Sequence, residues 1–144
     1  MIRGLIAAAA TIVFASFSAA GEQPIDVFEA IQGTWAVSEE ANTFKPIKPN
    51  CRTPSEIITI SADHKTYHEA VLQLTADIIG QGDKAIAITY SKQSDRAPRQ
   101  LDDNGKPIIW VLQMNDRNTF HWRRYDTPKS RTVKRVRCPA AINS

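Results

Sequence analysis

The sequence predicts an all-β protein, folded as a single antiparallel up-and-down barrel of seven or eight strands with a short N-terminal helix. Short segments in which apolar and polar residues alternate recur along the chain, as expected for half-buried strands. Turn-forming residues separate these segments at the spacing of hairpins. A meander of this size removes its exposed sheet edges by closing into a barrel.

The first 20 residues have the pattern of a signal peptide. Arg3 supplies positive charge, residues 5–17 are apolar, and small residues occupy 18–20. The apolar run is shorter than the ~20 residues that a membrane span needs. We therefore expect an exported protein without a membrane span, periplasmic or secreted in a bacterium. Its mature chain, residues 21–144, is long enough for one domain with one core.

The first mature elements are a helix and two strands. Apolar residues at helical spacing predict a short helix over residues 25–31, which ends before Gly33. Residues 34–38 alternate and predict the first strand. Residues 39–54 are polar and contain several prolines. Because proline cannot donate to a sheet ladder, we expect a loop here and not a strand. Residues 55–61 are rich in isoleucine and threonine and predict the second strand.

Residues 66–79 fit two structures. Thr66 and Glu69 resemble a helical capping box, and the apolar residues have helical spacing, but strict alternation fits equally well. We prefer one strand here because the neighbouring segments are strands. Residues 80–83 then form a glycine-containing turn, and residues 84–90 alternate cleanly as a strand.

The second half of the chain predicts a long loop and three more strands. Residues 91–105 are polar and include an Asp-Asp-Asn-Gly turn, and a loop of this length is often functional, for example as a lid. Residues 107–114, 119–125 and 131–138 then read as strands, separated by turns.

The two cysteines, Cys51 and Cys138, both lie in the mature chain. Because an exported protein meets an oxidising environment, we expect them to form one disulfide. Such a bond would close most of the mature chain into a loop, and chain entropy assigns it a stabilisation of about 4–5 kcal/mol.

Gly33-Thr34-Trp35, at the start of the first strand and directly after a helical turn, resembles the Gly-x-Trp signature of lipocalins and related calycin barrels. The resemblance implies that Trp35 lies across the closed end of the barrel, with an arginine of the last strand over its ring. Arg135 and Arg137 are the candidates, and they share a face because they are two residues apart.

A barrel this small either holds one small ligand or is filled by its own aromatic side chains. If it is open, its lining comes from the apolar and aromatic residues of the middle and late strands. The candidate ligand-binding residues are Ile86, Ile88, Tyr90, Trp110, Leu112, Phe120 and Trp122.

The sequence carries no catalytic signature and no convincing metal site. His64 and His68 would share a face only on a helix, and no third ligand is evident. Asp102 and Asp103 are better explained as turn formers beside Asn104-Gly105. We therefore expect no enzyme activity, no cofactor and no nucleic-acid partner, and we expect a monomer.

Charge is distributed unevenly along the chain. Residues 117–144 contain eight basic residues and one acid, Asp126. These cations either form a solvated face or meet an acidic partner protein. Two functions compete: a non-enzymatic carrier or sensor that binds a small apolar or amphipathic molecule, and an inhibitor or interaction module that uses a loop or the basic C-terminal strands.

Overall fold

Eight antiparallel strands close into one barrel, with one short helix before the first strand. The computed structural model describes residues 24–90 and 100–140. Each strand pairs with the next along the chain, and β8 pairs back onto β1 through Trp35–Arg137 and Val37–Arg135. This confirms the predicted all-β class, the up-and-down order and the upper strand count. The predicted signal peptide lies outside the described residues.

The elements closely follow the predicted segments, with differences described below. In chain order they are α1 (Val27–Ala30), β1 (Gly33–Val37), β2 (Glu56–Ile60), β3 (Thr66–Glu69), β4 (Leu74–Gln81), β5 (Ala85–Tyr90), β6 (Trp110–Asp116), β7 (Thr119–Arg124) and β8 (Arg135–Arg137). Within the described part of the chain, no helix is both long and apolar enough to cross a bilayer.

Helix α1 covers one end of the barrel, which we call the helix end. The Asp26 carboxylate caps α1 by accepting from the backbone N–H groups of Phe28 and Glu29, at 3.1 and 3.4 Å. Val27, Phe28 and Ile31 are buried in the same apolar core as the barrel interior. The Gln32 side chain then accepts from the backbone N–H of Ile60, the last residue of β2, at 3.2 Å. The helix therefore plugs the barrel where β1 begins and β2 ends.

The prediction of one strand over residues 66–79 is wrong, and so is the helical alternative, because the segment contains two strands and a turn. The Glu69 carboxylate accepts from the N–H groups of Val71 and Leu72, at 2.6 and 2.8 Å, and so closes the turn. Gln73 completes it with a left-handed φ of 57°. No glycine, proline or asparagine marks this turn, so its residues do not differ in type from strand residues.

Other boundaries move by a few residues. Strand β4 continues through Gly80 and Gln81, which we predicted as a turn, and a bulge between Ile78 and Gly80 accommodates the extension. The last strand is shorter than predicted because residues 131–134 find other partners. The N–H of Lys134 donates to the Glu39 carboxylate at 2.9 Å, and that of Thr132 donates to the Trp122 carbonyl.

The barrel interior is filled unevenly along its axis. Period-2 alternation turns every second side chain inward, and the middle and helix end are filled by completely buried apolar residues. The opposite end, which we call the cavity end, carries acidic, basic and tyrosine side chains at inward positions. The buried set nearer the helix end includes Trp35, Ile58, Ile86, Ile88, Leu112, Met114 and Phe120.

Candidate ligand cavity

A cavity of about 420 Å³ occupies the cavity end of the barrel. Its volume falls within the range of small-molecule sites in proteins. Its wall combines aromatic rings, two leucines, two acids and one arginine from seven of the strands and their connections. The lining residues are Ser55, Glu56, Tyr67, Glu69, Leu72, Leu74, Tyr90, Trp110, Trp122, Thr132 and Arg135.

An ion pair forms one side of the cavity. The Nε of Arg135 donates to the Oε1 of Glu56 at 3.0 Å, and both side chains are largely buried. The hydroxyl of Ser55 donates to the other carboxylate oxygen of Glu56. The Nη1 of Arg135 donates to the hydroxyl of Thr132 at 2.7 Å and to the carbonyl of Val133 at 2.5 Å. The charges of this pair cancel each other within the wall.

Glu69 adds a second acid that no cation pairs with among the described residues. Its side chain is almost completely buried, at 2 % exposure. Besides the two turn N–H groups, it accepts from the backbone N–H of Ile57 at 3.1 Å. These three N–H donors give both oxygens of the buried carboxylate a hydrogen-bond partner. The cavity wall therefore carries two acids and one base, for a net charge of −1.

Two buried tyrosines face this acidic cluster. Burial raises the pKa of Tyr67 well above its usual value, and the nearby Tyr90, Glu56 and Glu69 raise it further. Burial likewise raises the pKa of Tyr90, with Glu69 and Glu56 adding to the effect. Both phenols are therefore neutral O–H donors at physiological pH. Neither hydroxyl is hydrogen-bonded to any residue in the described ranges.

The indole rings complete the wall. The ring of Trp122 meets that of Tyr67 edge to face, with centroids 5.9 Å apart. The indole N–H of Trp110 is buried and has no hydrogen-bond partner among residues 24–90 and 100–140. An unpartnered buried donor costs roughly 1–3 kcal/mol.

The structure divides the candidate ligand-binding residues between cavity and core. Tyr90, Trp110 and Trp122 line the cavity. The other four are buried in the core nearer the helix end and are not part of the cavity wall: Ile86, Ile88, Leu112 and Phe120.

The charged side chains of the wall were not among the predicted ligand-binding residues. The signal that could have found them is the alternation of residues 56–60, in which Glu56 has the same parity as the buried Ile58 and Ile60. Glu69 likewise has the same parity as the buried Tyr67. An acid at an inward position of a barrel strand needs a partner or a polar cavity, and both are present here.

At the helix end, Arg137 covers Trp35. Its guanidinium carbon lies 4.4 Å from the centre of the indole ring. The same guanidinium donates to the carbonyls of Gln32 and Arg117, each at 2.9 Å, and to that of Ala30. The indole N–H of Trp35 donates to the carbonyl of Ile31 at 2.9 Å. Of the two candidate arginines, Arg137 is the one over the ring, whereas Arg135 belongs to the cavity.

The disulfide joins Cys51 to Cys138, as predicted. It connects the long β1–β2 loop to the residue that follows β8, with the two Cα atoms 5.6 Å apart. The backbone N–H of Cys138 also donates to the carbonyl of Thr34, at 2.8 Å. The cross-link therefore fastens the loop beside the seam at which the barrel closes.

The histidines and the paired aspartates have structural partners. The ring of His64 stacks on Phe28 at 4.1 Å, and the Nδ1 of His68 lies 3.1 Å from the hydroxyl of Thr75. The described ranges contain no group of three or more His, Cys, Asp or Glu side chains placed to hold a metal ion. The Asp102 carboxylate accepts from the N–H groups of Asn104 and Lys106, each at 2.9 Å, as a turn former does.

Many of the C-terminal cations are engaged within the fold. Arg131 and Lys134 both contact the Glu39 carboxylate, at 2.7 and 4.0 Å, and Arg131 also lies over the ring of Phe44. Arg124 pairs with Asp126 at 2.9 Å. With Arg135 and Arg137 placed as described above, the charge of this region is largely used internally.

Comparison with known proteins adds no family to this picture. No family model, no curated protein and no solved structure matches the chain.

Proposed function

We propose that this protein is an exported, non-enzymatic barrel that binds a small apolar or amphipathic molecule at its cavity end, in the manner of a small lipocalin. The observation that carries the proposal is the cavity of about 420 Å³, walled by Tyr67, Tyr90, Trp110 and Trp122. A barrel of eight strands is just wide enough to be filled by side chains. This one is filled only toward the helix end.

The non-enzymatic part of the proposal rests on what the charged groups of the wall already do. Glu56 is paired with Arg135, and Glu69 closes the β3–β4 turn through its hydrogen bonds to the backbone. A general acid or base needs a carboxyl group that is free to exchange a proton with its substrate. Structural roles explain both carboxylates without chemistry.

Export is supported by the disulfide, which is typical of oxidising compartments. The signal-peptide pattern of residues 1–20 supports the same location.

The alternative, an inhibitor or interaction module using the basic C-terminal strands, has weaker support. Five basic side chains of this region are engaged with acids, carbonyls or rings of the same chain: Arg124, Arg131, Lys134, Arg135 and Arg137. Of the eight C-terminal basic residues, the three whose side chains have no such contact in the described ranges are Arg117, Arg123 and Lys129.

The test is binding of N-phenyl-1-naphthylamine, a neutral apolar probe whose emission increases when water is excluded. We expect saturable binding with one site per chain. Leu72→Trp, which enlarges a half-exposed side chain of the cavity wall, should weaken binding at least tenfold. Leu101→Trp is the matched control, because Leu101 is similarly exposed but does not line the cavity.

Two outcomes would contradict the proposal. The first is no saturable increase in emission with a folded protein, judged by its circular dichroism and melting temperature. The second is equal loss of binding in both leucine variants. Capture of an acidic protein that is released by salt, together with no probe binding, would favour the interaction module instead.

A further inference from the structure

Each of the cavity groups that makes no hydrogen bond within the described chain can donate one. The hydroxyls of Tyr67 and Tyr90 have no partner among the described residues, and the same holds for the buried indole N–H of Trp110. The Nη2 of Arg135 also makes no hydrogen bond within those ranges, whereas its Nε and Nη1 are occupied. Indole and guanidinium groups can only donate, so these positions call for an acceptor.

Apart from the hydroxyl oxygens of the tyrosines and of Ser55, the side-chain acceptors of the same wall already accept hydrogen bonds. Both oxygens of Glu56 are hydrogen-bonded, to Arg135 and to Ser55. Both oxygens of Glu69 accept from backbone N–H groups. A ligand that brings an acceptor oxygen therefore finds more open partners here than a ligand that brings donors.

Charge narrows the ligand class further. The wall carries two acids and one base. Both acids also lie close enough to Tyr67 and Tyr90 to raise the pKa of these phenols. A carboxylate ligand would place a third negative charge in this low-dielectric cluster, where repulsion is stronger than in water. A cationic ligand would approach Arg135 and would leave the open donors unpartnered.

We propose, on the basis of the proposed function, that the cavity selects uncharged, ring-bearing molecules with a carbonyl or similar acceptor oxygen, and that the hydroxyls of Tyr67 and Tyr90 bind this oxygen. Fatty carboxylates are then poor ligands. The four aromatic rings hold the apolar body of the molecule, and the donor set orients its oxygen.

A matched set of naphthalenes tests this selectivity by displacing N-phenyl-1-naphthylamine from the intact oxidised protein. The set comprises naphthalene, methyl 2-naphthyl ketone, 2-naphthoate and 2-naphthylmethylammonium, which share one ring system and differ in the head group. We expect the ketone to bind at least tenfold more tightly than the carboxylate and the ammonium compound, and more tightly than naphthalene.

Removing the two phenol hydroxyls tests the assigned residues. The double variant Tyr67→Phe/Tyr90→Phe should weaken ketone binding about fivefold to tenfold, because a hydrogen bond contributes about 1 kcal/mol. Binding of naphthalene should stay within twofold, since both rings remain. Tyr125→Phe is the control, because Tyr125 is 64 % exposed and lies outside the cavity.

The possible failures are distinguishable. If N-phenyl-1-naphthylamine does not bind at all, the proposed function itself is overturned. Probe binding with the carboxylate or the ammonium compound as tight as the ketone, or with no displacement by any of the four compounds, overturns the selectivity alone. An unchanged ketone affinity in a folded double phenylalanine variant overturns the assignment of the acceptor to the tyrosines.

Discussion

A Cβ atom placed on Gly33 would lie 2.8 Å from the Nη1 of Arg137, closer than real Cβ contacts come. That guanidinium cannot simply move aside, because its hydrogen bonds to three backbone carbonyls and its contact with Trp35 fix its position. Gly33 also has a φ of +130°, which side chains with a Cβ rarely adopt. The glycine of the Gly-x-Trp segment is thus required both by its backbone and by the space that Arg137 occupies.

Gly33→Ala should therefore lower the free energy of unfolding by about 1–3 kcal/mol, the usual cost of one strained backbone position. Urea denaturation followed by circular dichroism measures the change. Gly82→Ala is the matched control, since nothing lies within 4 Å of a Cβ at that position, and its effect should stay within about 0.5 kcal/mol. Equal effects of the two substitutions would contradict the close approach of Arg137.

The two indoles at opposite ends of the barrel should respond differently to substitution. Trp35 is completely buried and its N–H is satisfied by Ile31, so Trp35→Ala should cost about 3–5 kcal/mol. Trp110→Phe removes an N–H that has no partner in the described structure. The smaller ring loses apolar contact, which destabilises the fold, but the cost of burying an unpartnered donor disappears at the same time. We expect it to change stability by less than about 1 kcal/mol.

Thermal and urea unfolding of both tryptophan variants would check this difference. Trp35→Phe makes the same change of side chain as Trp110→Phe. It should lower the free energy of unfolding more, because it removes a hydrogen bond that the Trp35 N–H makes. A Trp35→Ala cost below 1 kcal/mol would refute the placement of this ring across the helix end.

Loss of the disulfide should be the most destabilising change outside the core. The bond joins residues separated by 87 positions, and chain entropy assigns a loop of that length about 4–5 kcal/mol. The double variant Cys51→Ala/Cys138→Ala avoids leaving a free thiol and should lower the melting temperature substantially. Its stability should match that of the wild type after reduction.

Mass spectrometry of the untreated wild-type protein provides the control for this comparison. The mass should be that of the reduced chain minus two hydrogen atoms. Two free thiols that react with an alkylating reagent in the untreated protein would contradict the cross-link. A difference in stability below about 1 kcal/mol between the wild type and the double variant would contradict the stabilisation assigned to the disulfide.

The fold could be predicted from the sequence because each of its main signals is local. Alternation over residues 84–90, for instance, fixes both the strand type and the face that each side chain takes. The turn after β3 could not be predicted in the same way. It depends on the Glu69 side chain reaching back to two N–H groups, which is a geometric event without a turn-type residue.

The division of the inward side chains between core and cavity was also beyond the sequence. Ile88 and Tyr90 face the same way on β5, yet only Tyr90 lines the cavity. Their depth in the barrel depends on the pairing of Ile88 with Trp110 and on where α1 plugs the other end. Both are relationships between distant parts of the chain, whereas alternation reports only which face a residue occupies.

The contact between Glu39 and the C-terminal cations should weaken in acid. The hydrogen bond from Arg131 holds the pKa of Glu39 below its usual value of 4.5, with further help from the backbone N–H of Lys134, although burial opposes the shift. Since the folded state then binds the proton less readily than the unfolded state, the stabilisation is complete above the unfolded pKa. It is lost as the pH falls through the folded pKa.

Glu39→Gln should therefore destabilise the protein clearly at pH 7 and progressively less as the pH falls below 4.5. Urea denaturation of the wild type and the variant at pH 7, 5, 4 and 3 measures the difference. Glu40→Gln is the neighbouring control, because Glu40 is exposed and its carboxylate accepts a hydrogen bond from the nearby Thr43 hydroxyl. If Glu39→Gln lowers the free energy of unfolding equally at all four pH values, the charge of the carboxylate does not contribute to stability. The loss would then come from the different hydrogen-bonding geometry of the amide.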